Sequence, residues 1–451
     1  MFWSLTAFLI SFIIQVNLVV PAFLIALCVY LSLRKMHLRN CRFLNLVFLF
    51  LIIFVSSYFI LQEKWPLFII PFSVAPMIAT LVFNDIVVAF LLTVAISFSV
   101  ASLSANPFAV VAFFLISGTI SSILVQDARK RSTIIRAGVI IGITQVATLI
   151  FLEHLWIGLA NRYLIFFVNG IVSSIVVLGV LPIFEFLFKT VTNISLLELA
   201  DSNHPLLQRM VLEAPGTYHH SLMVGNLSDA ACKAVGANSL LARIGAYYHD
   251  IGKIEKASYF SENQSVLGSK HETLTADMSK LIIMNHVKEG VELAKKHRLN
   301  PAIIDFIQEH HGRSLVYYFY RRAIESIEED REIAEDGFRY PGPKPKTKET
   351  AIVLLADSVE AAVRALREPA AAQIEEVVHK IINNKFIDGQ LDECDLTLKD
   401  LEKISAVFIR ILGGIYHSRI SYPEEKTREN NHKKPAKEDS HQSVKDKKSN
   451  T

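Results

Sequence analysis

The sequence predicts an all-α protein in two parts, a polytopic transmembrane helix bundle followed by a soluble, all-helical domain. Three observations predict it. Hydrophobic residues make up 51% of the chain, above the roughly 45–50% of soluble proteins. The long apolar runs are confined to about the first 190 of its 451 residues, more residues than a single domain usually holds. Beyond that point apolar residues recur at helical spacing, and no segment shows the alternation of a half-buried strand.

The membrane part is taken first. A hydrocarbon layer of about 30 Å is crossed by about 20 apolar helical residues. Seven segments reach that length: 14–33, 43–61, 66–82, 86–104, 107–125, 133–152 and 163–187. The first apolar run begins at Phe2 and extends past one span, which leaves room for an eighth, partial element. No basic residue precedes that run and no small-residue cleavage site follows it, so it does not read as a removable signal peptide. The stretches RKMHLRNCR at 34–42 and QDARKR at 126–131 are basic, whereas QEKW at 62–65 and the loop at 153–162 are not. With seven spans both basic loops fall on the cytoplasmic side, the N-terminus lies outside and everything after Lys189 lies inside. Asp85, in the short hinge between two spans, could be an intramembrane functional carboxylate, but its neighbours Phe83 and Asn84 read as an interfacial loop. Cys28, Cys41, Cys232 and Cys394 show neither a pairing nor a metal-binding spacing and are expected to be reduced. The net charge of +3 is accounted for by the inside loops and the tail. No basic stripe with interleaved aromatics marks a nucleic-acid polymer as a partner.

The soluble part opens with an amphipathic lead-in at 196–200 and a break at His204-Pro205. Pro215-Gly216 starts a helix whose first turn carries His219 and His220. Asn238-Ser239 caps a helix expected over 240–250, with Gly252 placed to end it. A polar loop spans 258–270, a helix carrying His286 spans 274–293, and Asn300-Pro301 begins another that closes on His310-His311. An acidic helix with Glu325, Glu328, Glu329 and Asp330 follows, then the non-helical stretch FRYPGPKPKTKE at 338–349. Helices at 351–367, with Asp357, and at about 370–384 and 397–416 finish the domain. From 423 the chain is lysine-rich, mixed in charge and free of aromatics, a composition that cannot offset the entropy of ordering. The expected divisions are therefore 1–190, 191–422 and a disordered tail at 423–451.

The chemistry is carried by His220, His249, Asp250, His286, His310, His311 and Asp357. Imidazole and carboxylate together ligate borderline and hard divalent cations. Seven such ligands suffice for two ions, and a two-ion centre sharing one carboxylate is suited to phosphoryl displacement. Any one of these histidines alone would read as a core or surface residue. The adjacent pair, the His-Asp dipeptide at a helix end and the single residues on intervening helices are harder to dismiss together.

At this point the sequence resembles a known family. The pattern His220…His249-Asp250…Asp357 is similar to the H…HD…D signature of the HD phosphohydrolases, and His286, His310 and His311 resemble the additional ligands of its two-metal branch. More narrowly, LADSNHPLLQRMVLEAPGTYHHS, YYHDIGK, HHGRSLVYYFY, FRYPGPKPKTKE and LADSVEAAVR resemble the seven-transmembrane HD-domain phosphodiesterases, over about 190–415 and more loosely through the membrane region. The resemblance implies a cytoplasmic HD domain in the inner membrane of a bacterium, with hydrolysis of cyclic di-AMP to linear pApA. It assigns His220, His249, Asp250 and Asp357 to one ion and His286, His310 and His311 to the other, with Asp250 bridging and manganese or iron as the metals. His219 is expected to pack beside the site, and His271, His297 and His417 to be surface residues. Lys253, at the end of the HDIGK motif, is expected to neutralise charge developing on the phosphate. Arg339, Lys344 and Lys348 are candidates for contact with a second phosphate or an adenine.

The sequence departs from the family in three places. Family members place a large extracellular sensor after a first membrane helix, whereas this sequence enters the membrane at once. The stretch GSKHETL at 268–274 differs from the family's wording, and the linker between the histidine pair and Asp357 is rich in charge. Competing readings are a receptor that binds a dinucleotide without cleaving it, a cyclic di-GMP phosphodiesterase and a transporter. The full ligand set argues against the first. The second is disfavoured because that branch follows its histidine pair with an acidic residue and a GYP loop, where this chain has His310-His311-Gly312-Arg313. The near absence of polar residues within the spans argues against the third. A homodimer is compatible with the sequence and not required by it.

Overall fold

The computed structural model describes residues 40–63, 70–104, 106–153, 160–264, 270–325, 334–366 and 369–416. The first expected span, at 14–33, the tail at 423–451, Cys28, His417 and the acidic run at 328–330 lie outside them. Among the described residues the secondary structure is helical throughout, with a single isolated bridge between Leu315 and Arg339.

The first part is built from α1 (Asn40–Gln62), α2 (Val74–Phe83), α3 (Ile86–Ala101), α4 (Pro107–Val125), α5 (Arg131–Glu153) and α6 (Ala160–Phe188). The segments Pro107–Val125, Arg131–Leu152 and Asn161–Phe188 are long and apolar enough to cross a membrane, and the apolar segments Asn45–Ile60, Val74–Phe83 and Ile86–Ala101 are shorter. The expected span at 66–82 is realised as a helix of only 10 residues. Asn84 ends it in the left-handed region at φ 49°, and Asp85 starts α3 by accepting from the amides of Val87 (2.9 Å) and Val88 (3.3 Å). Asp85 is thus a helix cap, the interfacial reading of that residue. Phe108, Phe151 and Phe186 are 78%, 81% and 84% exposed, as side chains facing lipid are. Where water is absent, polar groups must be satisfied within the bundle. Accordingly Thr80, Thr93 and Ser97 donate to carbonyls four residues back, and Asn169 Nδ2 donates to Ile70 O at 3.2 Å. Helices α5 and α6 meet through glycine: a Cβ on Gly170 would lie 2.3 Å from Gly142 N. Only hydrogen allows that approach.

A short junction joins this bundle to the second part. Glu185, near the end of α6, accepts from Thr192 N and Ser195 Oγ, both at 2.8 Å. This seats α7 (Asn193–Leu199) directly beyond the last membrane helix. Two further bonds tie the junction to the domain beyond it. Tyr248 Oη donates to Leu199 O, and Asn300 Nδ2 donates to Thr190 O, each at 2.7 Å. Tyr248→Phe is expected to lower the unfolding free energy by about 1 kcal/mol, the usual net worth of one such bond, measured as a shifted thermal midpoint of the solubilised protein.

The second part comprises α8 (Pro205–Glu213), α9 (Pro215–Val235), α10 (Ser239–Tyr248), α11 (Ala276–Lys296), α12 (Pro301–Glu309), α13 (Tyr317–Glu325), α14 (Lys348–Arg364), α15 (Ala371–Ile387) and α16 (Leu398–Ile415). Residues 351–356 of α14 are buried on every side of the helix, so α14 is the central post of the domain. Helices α9, α10, α12, α15 and α16 pack around it. Asn238 caps α10 by accepting from Leu241 N at 3.0 Å, as its residue type predicts. The helix stops at Tyr248, however, and a 3₁₀ run over Ile251–Tyr259 follows. Gly252 lies inside that run and does not terminate α10. A Cβ there would meet His286 O at 1.8 Å and Gly290 N at 2.5 Å, so glycine is needed for the close crossing with α11.

Candidate metal centre

Five helices converge on one buried point. His220 is supplied by α9, His286 by α11 and Asp357 by the central α14. His249 occupies the C-cap of α10 with Asp250 following it, and His310 occupies the C-cap of α12 with His311 following it. The seven residues singled out from the sequence form two overlapping groups. One is His220, His249, Asp250 and Asp357; the other is Asp250, His286, His310 and His311. In each group the candidate ligand atoms all lie within 4.8 Å of one another.

Asp250 belongs to both groups, and its two oxygens divide between them. Oδ2 is 3.1 Å from His249 Nε2 and 3.7 Å from His220 Nε2, while Oδ1 is 3.4 Å from His286 Nε2 and 3.6 Å from His310 Nε2. Asp357 Oδ1 is 2.9 Å from His220 Nε2, and its Oδ2 is 3.6 Å from His311 Nδ1.

The tautomers follow from what the other ring nitrogens face. Nδ1 of His249 faces Ala246 O at 2.6 Å, Nδ1 of His286 faces Ile283 O at 2.5 Å, and Nδ1 of His310 faces Ile307 O at 3.0 Å. A carbonyl only accepts, so each Nδ1 carries a proton and each Nε2 is the ring atom left facing inward, the one that can offer a lone pair to an ion. His286 Nε2 and His310 Nε2 then stand 3.2 Å apart as two acceptors facing each other. Among the described residues, fully buried His249 Nε2 and Asp250 Oδ1 have no hydrogen-bond partner. Inward-facing buried lone pairs without donors are unfavourable unless a cation lies between them. Nitrogen and carboxylate donors at this spacing therefore fit divalent cations.

The two groups differ electrostatically. Burial lowers the His249 pKa, but the Asp250 and Asp357 carboxylates override it and raise it to about 10. Burial lowers His286 to about 3 and His311 well below the usual imidazole range, with His310 adding to both shifts. The carboxylate-rich group thus calls for positive charge, as a proton on His249 or a cation in its place, and burial keeps His286 and His311 neutral.

Lys253 lies at the edge of the cluster, its Nζ 2.7 Å from Asp250 Oδ2 and 2.9 Å from Glu262 Oε1. Burial pushes the Glu262 carboxyl up, but Lys253 brings it down to about 2. Asn263 Oδ1 beside it accepts from Gly216 N at 2.8 Å, closing this turn over the start of α9. The other basic candidates are committed elsewhere: Arg339 to Asp388 (2.9 Å) and Glu335, Lys344 to Asp392 (3.2 Å), and Lys348 to Asp400 (3.0 Å). Lys348 opens α14 nine residues before Asp357, roughly 13 Å by helical rise.

His219 is exposed and is not packed beside the site as the sequence suggests. His271 is not a surface residue: it is 7% exposed, and its Nε2 bonds Tyr259 O at 2.8 Å. Sequence reasoning missed Glu360, Glu262 and Tyr340. Tyr340 stacks on His311 with ring centroids 4.2 Å apart. Glu360 bonds His220 Nδ1, and its one legible signal was its place three residues after Asp357, on the same helix face.

Comparison with known proteins places this geometry. Residues 4–192 match the family described as 7TM receptor with intracellular HD hydrolase, and residues 217–362 match the HD domain. The cyclic-di-AMP phosphodiesterase PgpH of Bacillus subtilis is 43% identical over 318 residues, 69% of this chain and 44% of that protein. The protein of the same name from Listeria monocytogenes is 39% identical over 401 residues, 85% of this chain and 53% of that protein. The chain therefore spans about half the length of these relatives. The crystal structure of the L. monocytogenes PgpH HD domain in complex with cyclic-di-AMP is 47% identical, covers 48% of this chain and 100% of that one, and superposes with a TM-score of 0.46.

Proposed function

We propose, from the premise that this chain belongs to the family of 7TM receptors with an intracellular HD hydrolase, that it is a metal-dependent phosphodiesterase of a bacterial cytoplasmic membrane. Its substrate on this reading is cyclic di-AMP, opened by water to linear pApA. The names of the two PgpH relatives support the substrate. The observation that carries the reaction class is Asp250, whose two oxygens serve two groups of buried nitrogen and oxygen donors. The boundaries that go with it are 1–190 for the multi-pass membrane part, 191–422 for the cytoplasmic hydrolase and 423–451 for the tail.

On this reading His220, His249, Asp250 and Asp357 hold one divalent ion and Asp250, His286, His310 and His311 the other, with manganese or iron as the metals. The chemistry supplied by a bound pair is Lewis acidity, which polarises the phosphodiester and acidifies a water. The protein's own groups do the positioning. Three backbone carbonyls fix the tautomers of His249, His286 and His310. Lys253 holds Asp250 Oδ2 at 2.7 Å, which sets the plane of the shared carboxylate. Its positive charge also lies where negative charge accumulates on a phosphodiester as it is attacked. Tyr340, buried at 7% exposure, packs its ring against His311 and steadies that imidazole.

The test is turnover by the full chain in detergent or nanodiscs, supplied with manganese or ferrous iron, with cyclic di-AMP and cyclic di-GMP followed by chromatography. Linear pApA from the wild type, absent with a His249→Ala, Asp250→Ala double variant, is the expected result. Metal-dependent binding without product would replace the enzyme reading by that of a receptor.

A further inference from the structure

Among the candidate ligands, His220 is held differently from its three counterparts on neighbouring helices. The Nδ1 atoms of His249, His286 and His310 face neutral backbone carbonyls of their own chain turns. That of His220 faces a carboxylate, Glu360 Oε2. Glu360 is 3% exposed, and Arg364 Nη1 lies 3.2 Å from that same Oε2 and 3.4 Å from Oε1. Asp357 lies on the other side of the same ring, with Oδ1 2.9 Å from Nε2. Asp357 and Glu360 are three residues apart on α14, so one rigid helix face grips both ring nitrogens.

A charged acceptor on the outer nitrogen does two things a carbonyl does less well. It holds the ring more strongly, and it increases electron density on the inner nitrogen, hence its strength as a ligand. The His220 group also contains two carboxylates, Asp250 and Asp357, where the other group has only the shared Asp250 beside three imidazoles.

We propose that Glu360 is a positioning residue for His220, and that through it the His220, His249, Asp250, Asp357 group takes up its ion before the Asp250, His286, His310, His311 group does. The inference rests on the two-ion reading above and not on the identity of the substrate. The centre then exists in three states, empty, singly filled and doubly filled. The singly filled state has a defined occupant site, and the second ion is the one that responds to metal supply.

The experiment titrates manganese into the metal-free chain in detergent, followed by calorimetry and by the electron paramagnetic resonance of the bound ion. The wild type is expected to fill in two steps separated by at least about tenfold, with a spectrum of isolated ions at one equivalent and of a coupled pair at two. Glu360→Gln keeps the size of the side chain and removes its charge. It is expected to weaken the tighter step by about 10- to 100-fold and to leave the weaker step within about threefold, so that the separation between the two steps narrows or inverts. An unchanged thermal midpoint of the metal-free variant separates this from misfolding. Should Glu360→Gln shift that midpoint, Glu360→Asp supplies the comparison, with an intermediate weakening expected of the same step. Two equal steps in the wild type, or a tighter step that Glu360→Gln leaves unchanged, would overturn the inference. Failure of the wild type to bind manganese or any other divalent ion would overturn the two-ion reading itself.

Discussion

Asp250→Ala is expected to reduce hydrolysis at least a thousandfold and to leave less than one tightly held ion per chain. The reason is its double membership. Its Oδ2 is 3.1 Å from His249 Nε2 and its Oδ1 is 3.4 Å from His286 Nε2, so removing this one carboxylate takes an oxygen donor from each group. Losing charge stabilisation of several kcal/mol at a phosphoryl centre corresponds to roughly a thousandfold or more in rate. The variant also strands Lys253, whose Nζ would keep only Glu262 at 2.9 Å. Parallel measurement of metal content and turnover checks the claim. A variant that kept two ions and lost only rate would show that Asp250 acts on substrate and not as the shared ligand. Asp250→Asn, which keeps one oxygen, should retain more metal than the alanine variant.

The second large effect is expected at a residue with no side chain. Gly252→Ala would place a methyl 1.8 Å from His286 O and 2.5 Å from Gly290 N. Both obstacles are backbone, which cannot rotate aside, so the 3₁₀ run after Asp250 must separate from α11. Forcing atoms into a packed crossing costs about 3 kcal/mol. Because Asp250 and His286 lie on the two sides of this crossing, the same displacement pulls a ligand of the second group away from the shared carboxylate. A lowered unfolding midpoint together with weakened uptake of one ion is the expected pair of results. Wild-type stability and full metal content in this variant would show that the two segments approach less closely than described.

How much of this was legible in the sequence depended on how local each signal is. The seven candidate ligands stand in short motifs or at helix ends, and helical periodicity placed them on separate elements without tertiary information. The cap at Asn238 was legible for the same reason. Gly252 was read by a local rule as a helix terminator, and the close approach of α11, invisible along the chain, was the stronger constraint. Arg339 and Lys348 looked available in a proline-rich loop because their partners Asp388 and Asp400 lie 49 and 52 residues away. Glu360 was one acidic residue among many until α14 turned it toward His220. In the membrane part, the break at Phe83-Asn84-Asp85 was legible, but not the late start at Val74 that leaves α2 with 10 residues.

The junction after α6 has a consequence for how the soluble domain moves. A flexible tether would let it tumble independently and sample many orientations above the bilayer. Here Glu185 clamps the chain as it leaves α6, and Asn300 and Tyr248 bind the carbonyls of Thr190 and Leu199 on either side of that clamp. Tyr248 directly precedes His249, and Asn300 caps the helix that ends at His310. With so little slack, the domain's rotational diffusion is that of the membrane bundle, about the bilayer normal and slow. Anything that reaches the buried centre must therefore find an opening that keeps a constant height and tilt over the headgroups.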